Sequence, residues 1–160
     1  MTESRIEARI RELGYELPVA PAPVAAYVPA VTSGSYVYTS GQLPFVEGAL
    51  PETGKVSDSG AEGSVTPENA KKYAGICLLN ALAAVKSVIG DLDRVQRVVK
   101  VVGFVASEVN FTAQPAVING ASELLGEIFG EAGQHARSAV GVPVLPLDSP
   151  VEVEIIVEYV

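Results

Sequence analysis

Residues 135–160, HARSAVGVPVLPLDSPVEVEIIVEYV, constrain the fold more than any other stretch of this chain. They read as two β-strands parted by a turn marked by Pro and Asp. In the second strand Val151, Val153 and Ile155 alternate with Glu152 and Glu154, so one face is apolar and the other acidic. The first strand is small and apolar apart from Arg137 at its mouth. Strands of this kind must be covered on at least one face, so the chain has to supply a second layer. A guanidinium in such surroundings needs an anionic partner, because an unpaired buried charge costs several kcal/mol. Arginine is also the side chain that forks onto a planar carboxylate. Arg137 is therefore a candidate anchor for a small carboxylate ligand. A structural ion pair with Glu152 or Glu154 is the alternative.

The covering layer is legible upstream. Thr66-Pro67-Glu68 supplies a hydroxyl cap, a proline for the first turn and an acid near the positive end of the helix dipole. The helix it starts should run to about Ile89 and close at Gly90-Asp91. Its apolar set (Tyr73, Ile76, Cys77, Leu79, Leu82, Val85, Ile89) is broad enough to lie on a sheet. Residues 94–106 alternate as a long strand, and residues 112–129 form a second helix with Val117, Leu124, Leu125 and Ile128 inward. Near the N-terminus, residues 4–13 place Ile6, Ile10 and Leu13 at helical spacing before Gly14. Residues 17–30, rich in Pro and Ala, read as extended or looping. A turn at Ser33-Gly34 leads into a strand through Tyr36, Val37 and Tyr38, which ends at Gly41-Gln42-Leu43-Pro44. Residues 45–65 read as a long excursion with a short hairpin at Glu52-Thr53-Gly54-Lys55.

These elements predict an α+β fold: a mixed sheet with two long helices on one face, in one domain over 1–160. The other face is expected to be bare, with Val99, Val101, Val140, Val142, Val153 and Ile155 left for self-association to cover. If the last two strands form an antiparallel hairpin turning near Pro146–Pro150, Glu152 lies at the turn and Arg137 at the far end, ~20 Å away at 3.3 Å per residue. They could then meet only across a subunit interface.

Composition excludes several classes. The net charge of −8 argues against nucleic acid. A single cysteine rules out an intrachain disulfide framework and permits a reducing compartment. No uninterrupted apolar run of ~18 residues suggests a membrane span, and the charged N-terminus has no apolar signal core; cytoplasm is the expected location. One histidine and one cysteine do not make a zinc set, so no metal is expected. Cys77 should be buried and inert, and His135 an ordinary loop histidine. One histidine and no serine elbow also disfavour a nucleophilic triad.

Three segments, with Asn119 between the second and third, carry a resemblance that covers about 130 residues in order. They are Tyr36-Val37-Tyr38-Thr39-Ser40-Gly41-Gln42-Leu43-Pro44, then Arg97-Val98-Val99-Lys100-Val101-Val102-Gly103-Phe104-Val105, and finally Ala136-Arg137-Ser138-Ala139-Val140-Gly141-Val142 with Leu145-Pro146 and Val151-Glu152-Val153-Glu154. The chain resembles the Rid, or YjgF-like, family of reactive-intermediate deaminases. The resemblance implies a chorismate-mutase-like α+β unit and a homotrimer whose sheets line a central barrel. It implies hydrolysis of enamine or imine acids such as 2-aminoacrylate to 2-oxo acids and ammonia, without a cofactor. It carries the carboxylate-binding role to Arg137 and the water-holding acid to Glu152. Substrate contacts pass to Tyr27, Ser40, Asn119 and the backbone amide of Gly41. Taken alone, Tyr27 reads more readily as a packing aromatic, Ser40 and Asn119 as turn and helix-surface polar groups, and Glu152 as a solvated acid. Ala139 stands where the best-known members often carry cysteine, the helix at 4–13 precedes their usual start, and 45–65 is longer; these departures mark a divergent branch. The rival functions are a non-catalytic trimer that binds small carboxylates and, less favoured by the acidic charge, a ribonuclease.

Overall fold

The structure, a computed structural model, describes residues 2–20, 22 and 26–160. In chain order the elements are α1 (Arg5–Glu12), β1 (Ala30–Ser33), β2 (Tyr36–Thr39), α2 (Pro67–Ile89), β3 (Val95–Ala106), α3 (Gln114–Phe129), β4 (Ala136–Val142) and β5 (Val151–Tyr159). The five strands form one sheet in the order β1-β2-β5-β3-β4. Only β3 and β4 run parallel, joined through α3; the other neighbours are antiparallel.

The long helix forms where its punctuation places it. Thr66 Oγ1 accepts from the Asn69 amide at 3.2 Å, Pro67 fills the first turn, and Gly90 closes the helix at φ 87°. α2 is long and apolar enough to cross a membrane, but 56% of its most apolar window is buried inside this fold. α3 starts two residues later than expected, behind Ala113, which offers no side-chain cap. The two helices touch at glycines. A Cβ on Gly75 would meet the Gly120 carbonyl oxygen at 3.4 Å, and one on Gly120 would fall on the Lys71 carbonyl. Both helices lie on the same side of the sheet. The buried side chains there include Val37, Val98, Val101, Val105, Val151, Val153, Ile155 and Val157.

This placement corrects two expectations. Val101, Val153 and Ile155 are not on the bare face but under the helices, each at most 1% exposed. The helices take the apolar face because only it matches their own apolar surfaces, which leaves the glutamate face of β5 open. Val140, 45% exposed, does project from the open face, and the pairing Ala106↔Val142 puts Val142 there too. Tyr36, Tyr38, Phe104 and Ile156 share that face, by the pairings Tyr38↔Ile156 and Phe104↔Val140. Secondly, β4 and β5 do not form a hairpin. β3 lies between them, and residues 143–150 cross its end. That connection is too long for a tight two-residue turn and spans the extra strand width of roughly 5 Å on each side.

The expected hairpin at 52–55 is also absent. Val46 and Ala49 pair across a tight turn instead. The rest of the excursion is pinned to the end of the sheet and to α2. The Val56 amide donates to Ala106 O at 2.7 Å, and Gly54 N donates to Asp148 O at 2.9 Å. Glu52 Oε1 accepts from Tyr73 Oη at 2.8 Å and Asn69 Nδ2 at 3.2 Å. Burial first, and then the Glu52 carboxylate, push the Tyr73 hydroxyl up to about 12. The strand β1 was not expected: it begins at Ala30, where the extended 17–30 segment ends, and pairs with β2 around the expected turn, with Gly34 at φ 58°.

The N-terminal helix α1 is held by a carboxylate far away in sequence. Asp93 accepts from Ser4 Oγ at 2.9 Å, from the Arg5 amide at 3.0 Å and from the Ile6 amide at 2.9 Å. Partial burial alone would raise the Asp93 carboxyl; the Ile6 and Arg5 amides, the Ser4 hydroxyl and the Arg5 guanidinium together hold it below its usual value.

Candidate functional site

The residues singled out in the sequence gather in two groups. The first sits on β4 and α3. The pairing Arg137↔Val101 puts Arg137 on the helix side of the edge strand, because Val101 is buried there. Asn119 and Ser122, three apart on α3, present the same face to it. Arg137 Nη1 donates to Asn119 Oδ1 at 2.7 Å and to Ser122 Oγ at 3.2 Å. Both partners are neutral. None of the ion pairs among the described residues involves Arg137, so the structural pair with Glu152 or Glu154 is not made within this chain. Among the described residues Nε and Nη2 also have no protein acceptor. The guanidinium, half-buried, therefore keeps its side-on fork free. Ala139, two positions along the strand, shares this side and packs partly against the core.

The second group sits on the other side of the sheet. Glu152 pairs in register with Phe104, on the open face. Its carboxylate lies against Gly41, where an added Cβ would be 2.5 Å from Glu152 Oε1. Gly41 is thus a steric requirement for seating this acid. Partial burial, and next the like charge of Glu154, push the Glu152 carboxyl above its usual value. Beside it, Ser40 Oγ donates to Val28 O at 2.7 Å, tying β2 to the loop that carries Tyr27. Tyr27 itself is 67% exposed.

The two groups do not meet inside one chain. Arg137 and Glu152 are separated by the whole of β3, about 10 Å across, and by three residues along the strands, about 10 Å more. They also point to opposite faces. In place of the expected ~20 Å hairpin separation the offset in the sheet is roughly 14 Å, and the opposite faces keep the two side chains apart. Neither of the hollows described in this chain adjoins Arg137 or Glu152; they are lined by residues such as Leu17, Ala20, Val28, Ala83, Ser87 and Val88.

Two members of the Arg137 group were not expected from sequence. Ser122 lacked any local signal beyond its spacing from Asn119. His135, expected to be an ordinary loop residue, places Nε2 2.8 Å from Ser122 Oγ. Cys77 is fully buried in α2, and burial, with a smaller effect from Glu152, pushes its thiol well up. Among the described residues no group of three His, Cys, Asp or Glu side chains is arranged to hold a metal ion.

Residues 7–159 match the family model described as "YjgF/chorismate_mutase-like, putative endoribonuclease". The chain belongs to this family, the Rid or YjgF-like proteins, and has its α+β fold. It is 43% identical to Protein TCP17 of Trypanosoma cruzi over 99% of this chain and 96% of that protein. Among solved structures it is similar to Atu1372 of Agrobacterium tumefaciens, a protein described as of unknown function. That likeness has a TM-score of 0.87, with 45% identity over 97% of this chain and 92% of the other. It is also similar to TdcF of E. coli, solved with bound serine, at a TM-score of 0.61 and 26% identity, covering 88% of this chain and 94% of TdcF. The chain thus stands much nearer to Atu1372 than to TdcF, as expected of a divergent branch.

Proposed function

We propose that this protein hydrolyses small 2-imino and enamine acids of the 2-aminoacrylate type to 2-oxo acids and ammonia. The site would lie between subunits of a homotrimer in the cytoplasm. One observation carries the reading: a half-buried guanidinium is held by two neutral acceptors at Nη1 and left without any anion at Nε and Nη2. A planar carboxylate matches that open fork. TdcF, a relative with the same fold, has been solved with serine, itself a small carboxylate, and this supports the reading.

The chemistry needs an anchored substrate, a placed water and a proton carrier. Arg137 anchors the carboxylate and fixes the imine carbon, which an enamine substrate gains once a proton has moved from its nitrogen to its terminal carbon. Glu152 of a neighbouring copy would supply the other two. In its ionised form it takes a proton from water as the oxygen bonds to the imine carbon, and that proton passes to the nitrogen. The resulting carbinolamine then expels ammonia and leaves the 2-oxo acid. A carboxyl raised by burial suits both halves of this cycle. Holding water beside an already electrophilic carbon supplies much of the rate.

Tyr27, Ser40, Gly41 and Asn119 complete the reading. Ser40, the backbone amide of Gly41 and Tyr27 would contact the substrate from the Glu152 half, and Asn119, which accepts from Arg137, from the other. The trimer draws support from the open sheet face with Tyr36, Tyr38, Phe104, Val140 and Ile156.

The decisive experiment generates 2-aminoacrylate with a dehydratase and follows pyruvate release. The wild type should accelerate it, and Arg137→Ala should remove the acceleration. A second reading, a trimer that only binds small carboxylates, is favoured by the anchor being complete without the acid. It predicts no acceleration by the wild type together with pyruvate binding, measured by calorimetry, that Arg137→Ala abolishes. Ribonuclease activity is disfavoured by the net charge of −8.

A further inference from the structure

The Arg137 guanidinium is the first member of a longer hydrogen-bonded chain. Ser122 Oγ, which accepts from Nη1, lies 2.8 Å from His135 Nε2, and His135 Nδ1 lies 2.6 Å from the Gly133 carbonyl oxygen. The two ends fix the direction of every proton between them. A guanidinium can only donate and a carbonyl can only accept. Nδ1 must therefore carry the imidazole proton, which leaves Nε2 as an acceptor, and the Ser122 hydroxyl donates to it. The opposite assignment would aim an imidazolium N–H at an oxygen that already accepts from a guanidinium. It would also leave the Ser122 proton without an acceptor.

The far end is anchored as well. Gly133 is buried, and a Cβ there would collide with the Leu125 carbonyl of α3. The brace thus ties α3, the turn at Gly130–Gly133 and the start of β4 to one side chain.

We propose that His135, acting through the Ser122 hydroxyl, is a positioning residue for Arg137. It holds Nη1 so that Nε and Nη2 form the fork presented to a carboxylate ligand. The inference rests on the reading of Arg137 as a carboxylate anchor. With the serine proton committed to His135, its lone pair is aimed at Nη1, and Asn119 Oδ1 takes the second Nη1 proton. Without His135 the hydroxyl is free to rotate, and the guanidinium loses one of its two fixed contacts. Substrate binding should suffer before the chemical step does, because Arg137 grips a group remote from the reacting bond.

The test uses the full chain. In wild type, ¹⁵N NMR of the His135 ring should show the Nδ1–H tautomer; an Nε2–H tautomer overturns the proposal whatever the variants do. In the 2-aminoacrylate assay, His135→Ala should raise KM roughly three- to tenfold with a smaller change in kcat. His135→Gln, whose amide oxygen can still accept from Ser122, should recover most of that loss. In a Ser122→Ala background, His135→Ala should add nothing, since its effect passes through the missing hydroxyl. A wild-type KM in His135→Ala, or losses that simply add in the double variant, overturns the proposal. Pyruvate affinity by calorimetry makes the same comparison if wild type binds without turnover. Full activity in Arg137→Ala would overturn the anchor itself, a result distinct from any His135 outcome.

Discussion

The two faces of the sheet are finished to different degrees. Under α2 and α3, every alternate side chain of β5 from Val151 to Val157 is buried. On the reverse, Glu152, Glu154, Ile156 and Glu158 are only half-buried, and neighbours such as Tyr38 are 42% exposed. One face is closed by this chain and the other is left to something else. The candidate chemistry is divided in the same way. Arg137 belongs to the closed side, with its orientation fixed by α3, whereas Glu152 belongs to the open side and has no cation beside it among the described ion pairs. The lesson is that binding geometry and assembly geometry are separable in this fold.

The sharpest way to break that comparison is a pair of substitutions on one strand. Val101→Asp places an unpaired charge under the helices and should cost more than about 4 kcal/mol, abolishing cooperative unfolding. Phe104→Asp, three residues on and facing the other way, should keep the far-UV circular dichroism of the wild type while sedimentation shows loss of the proposed trimer. Equal damage from both would mean that the two faces are not distinct.

A smaller effect probes the helix layer alone. Gly120→Ala should cost about 1–3 kcal/mol in urea denaturation, because its Cβ has no room beside the Lys71 carbonyl. Gly126→Ala, also in α3 but with nothing within 4 Å, should instead stabilise by about 0.5–1 kcal/mol.

Next comes the tether of α1. Asp93→Ala removes three hydrogen bonds and should cost about 1–2 kcal/mol at neutral pH. Because the folded-state value of Asp93 is depressed, this stabilisation is full above the unfolded value of about 3.9 and is lost as pH falls through the folded one. Wild type and variant should therefore converge in acid, a comparison read from melting temperatures across pH.

The smallest effect belongs to the open face. Glu152 has a raised folded-state value, so its ionisation opposes folding at pH above that value and has no effect below the unfolded one near 4.3. Glu152→Gln should raise the melting temperature slightly at pH 7 to 8, with the gain vanishing toward pH 4. The same variant should lose the proposed deaminase activity.

The legible parts of the fold were those whose signals are local. Thr66-Pro67 and Gly90 mark the ends of α2 by chemistry that needs no neighbour. The start of α3 was placed early because Ala113 caps nothing with its side chain. β1 lies just past the Pro- and Ala-rich approach and carries no strand signal of its own, since its four residues become a strand only by pairing with β2. Strand neighbours were the main failure. Nothing in residues 143–150 says that a third strand will lie between β4 and β5. Along β3 the alternation is broken by register shifts at Val95/Arg97 and Val98/Lys100, so its two faces could not be counted from one end. At the site, Arg137 stood out as a lone charge in an apolar strand. His135 and Ser122 did not, because their meaning lies in a contact across 13 residues.

The strand order has one more implication, for biosynthesis. The middle of the sheet is β5, made after the four strands that flank it. Until it inserts, β2 and β3 each hold a raw edge, and the valines of the helix-covered side have no central rib to assemble on. The sheet therefore cannot close strand by strand in chain order, and its ordering should come as one cooperative event once all five strands have been made.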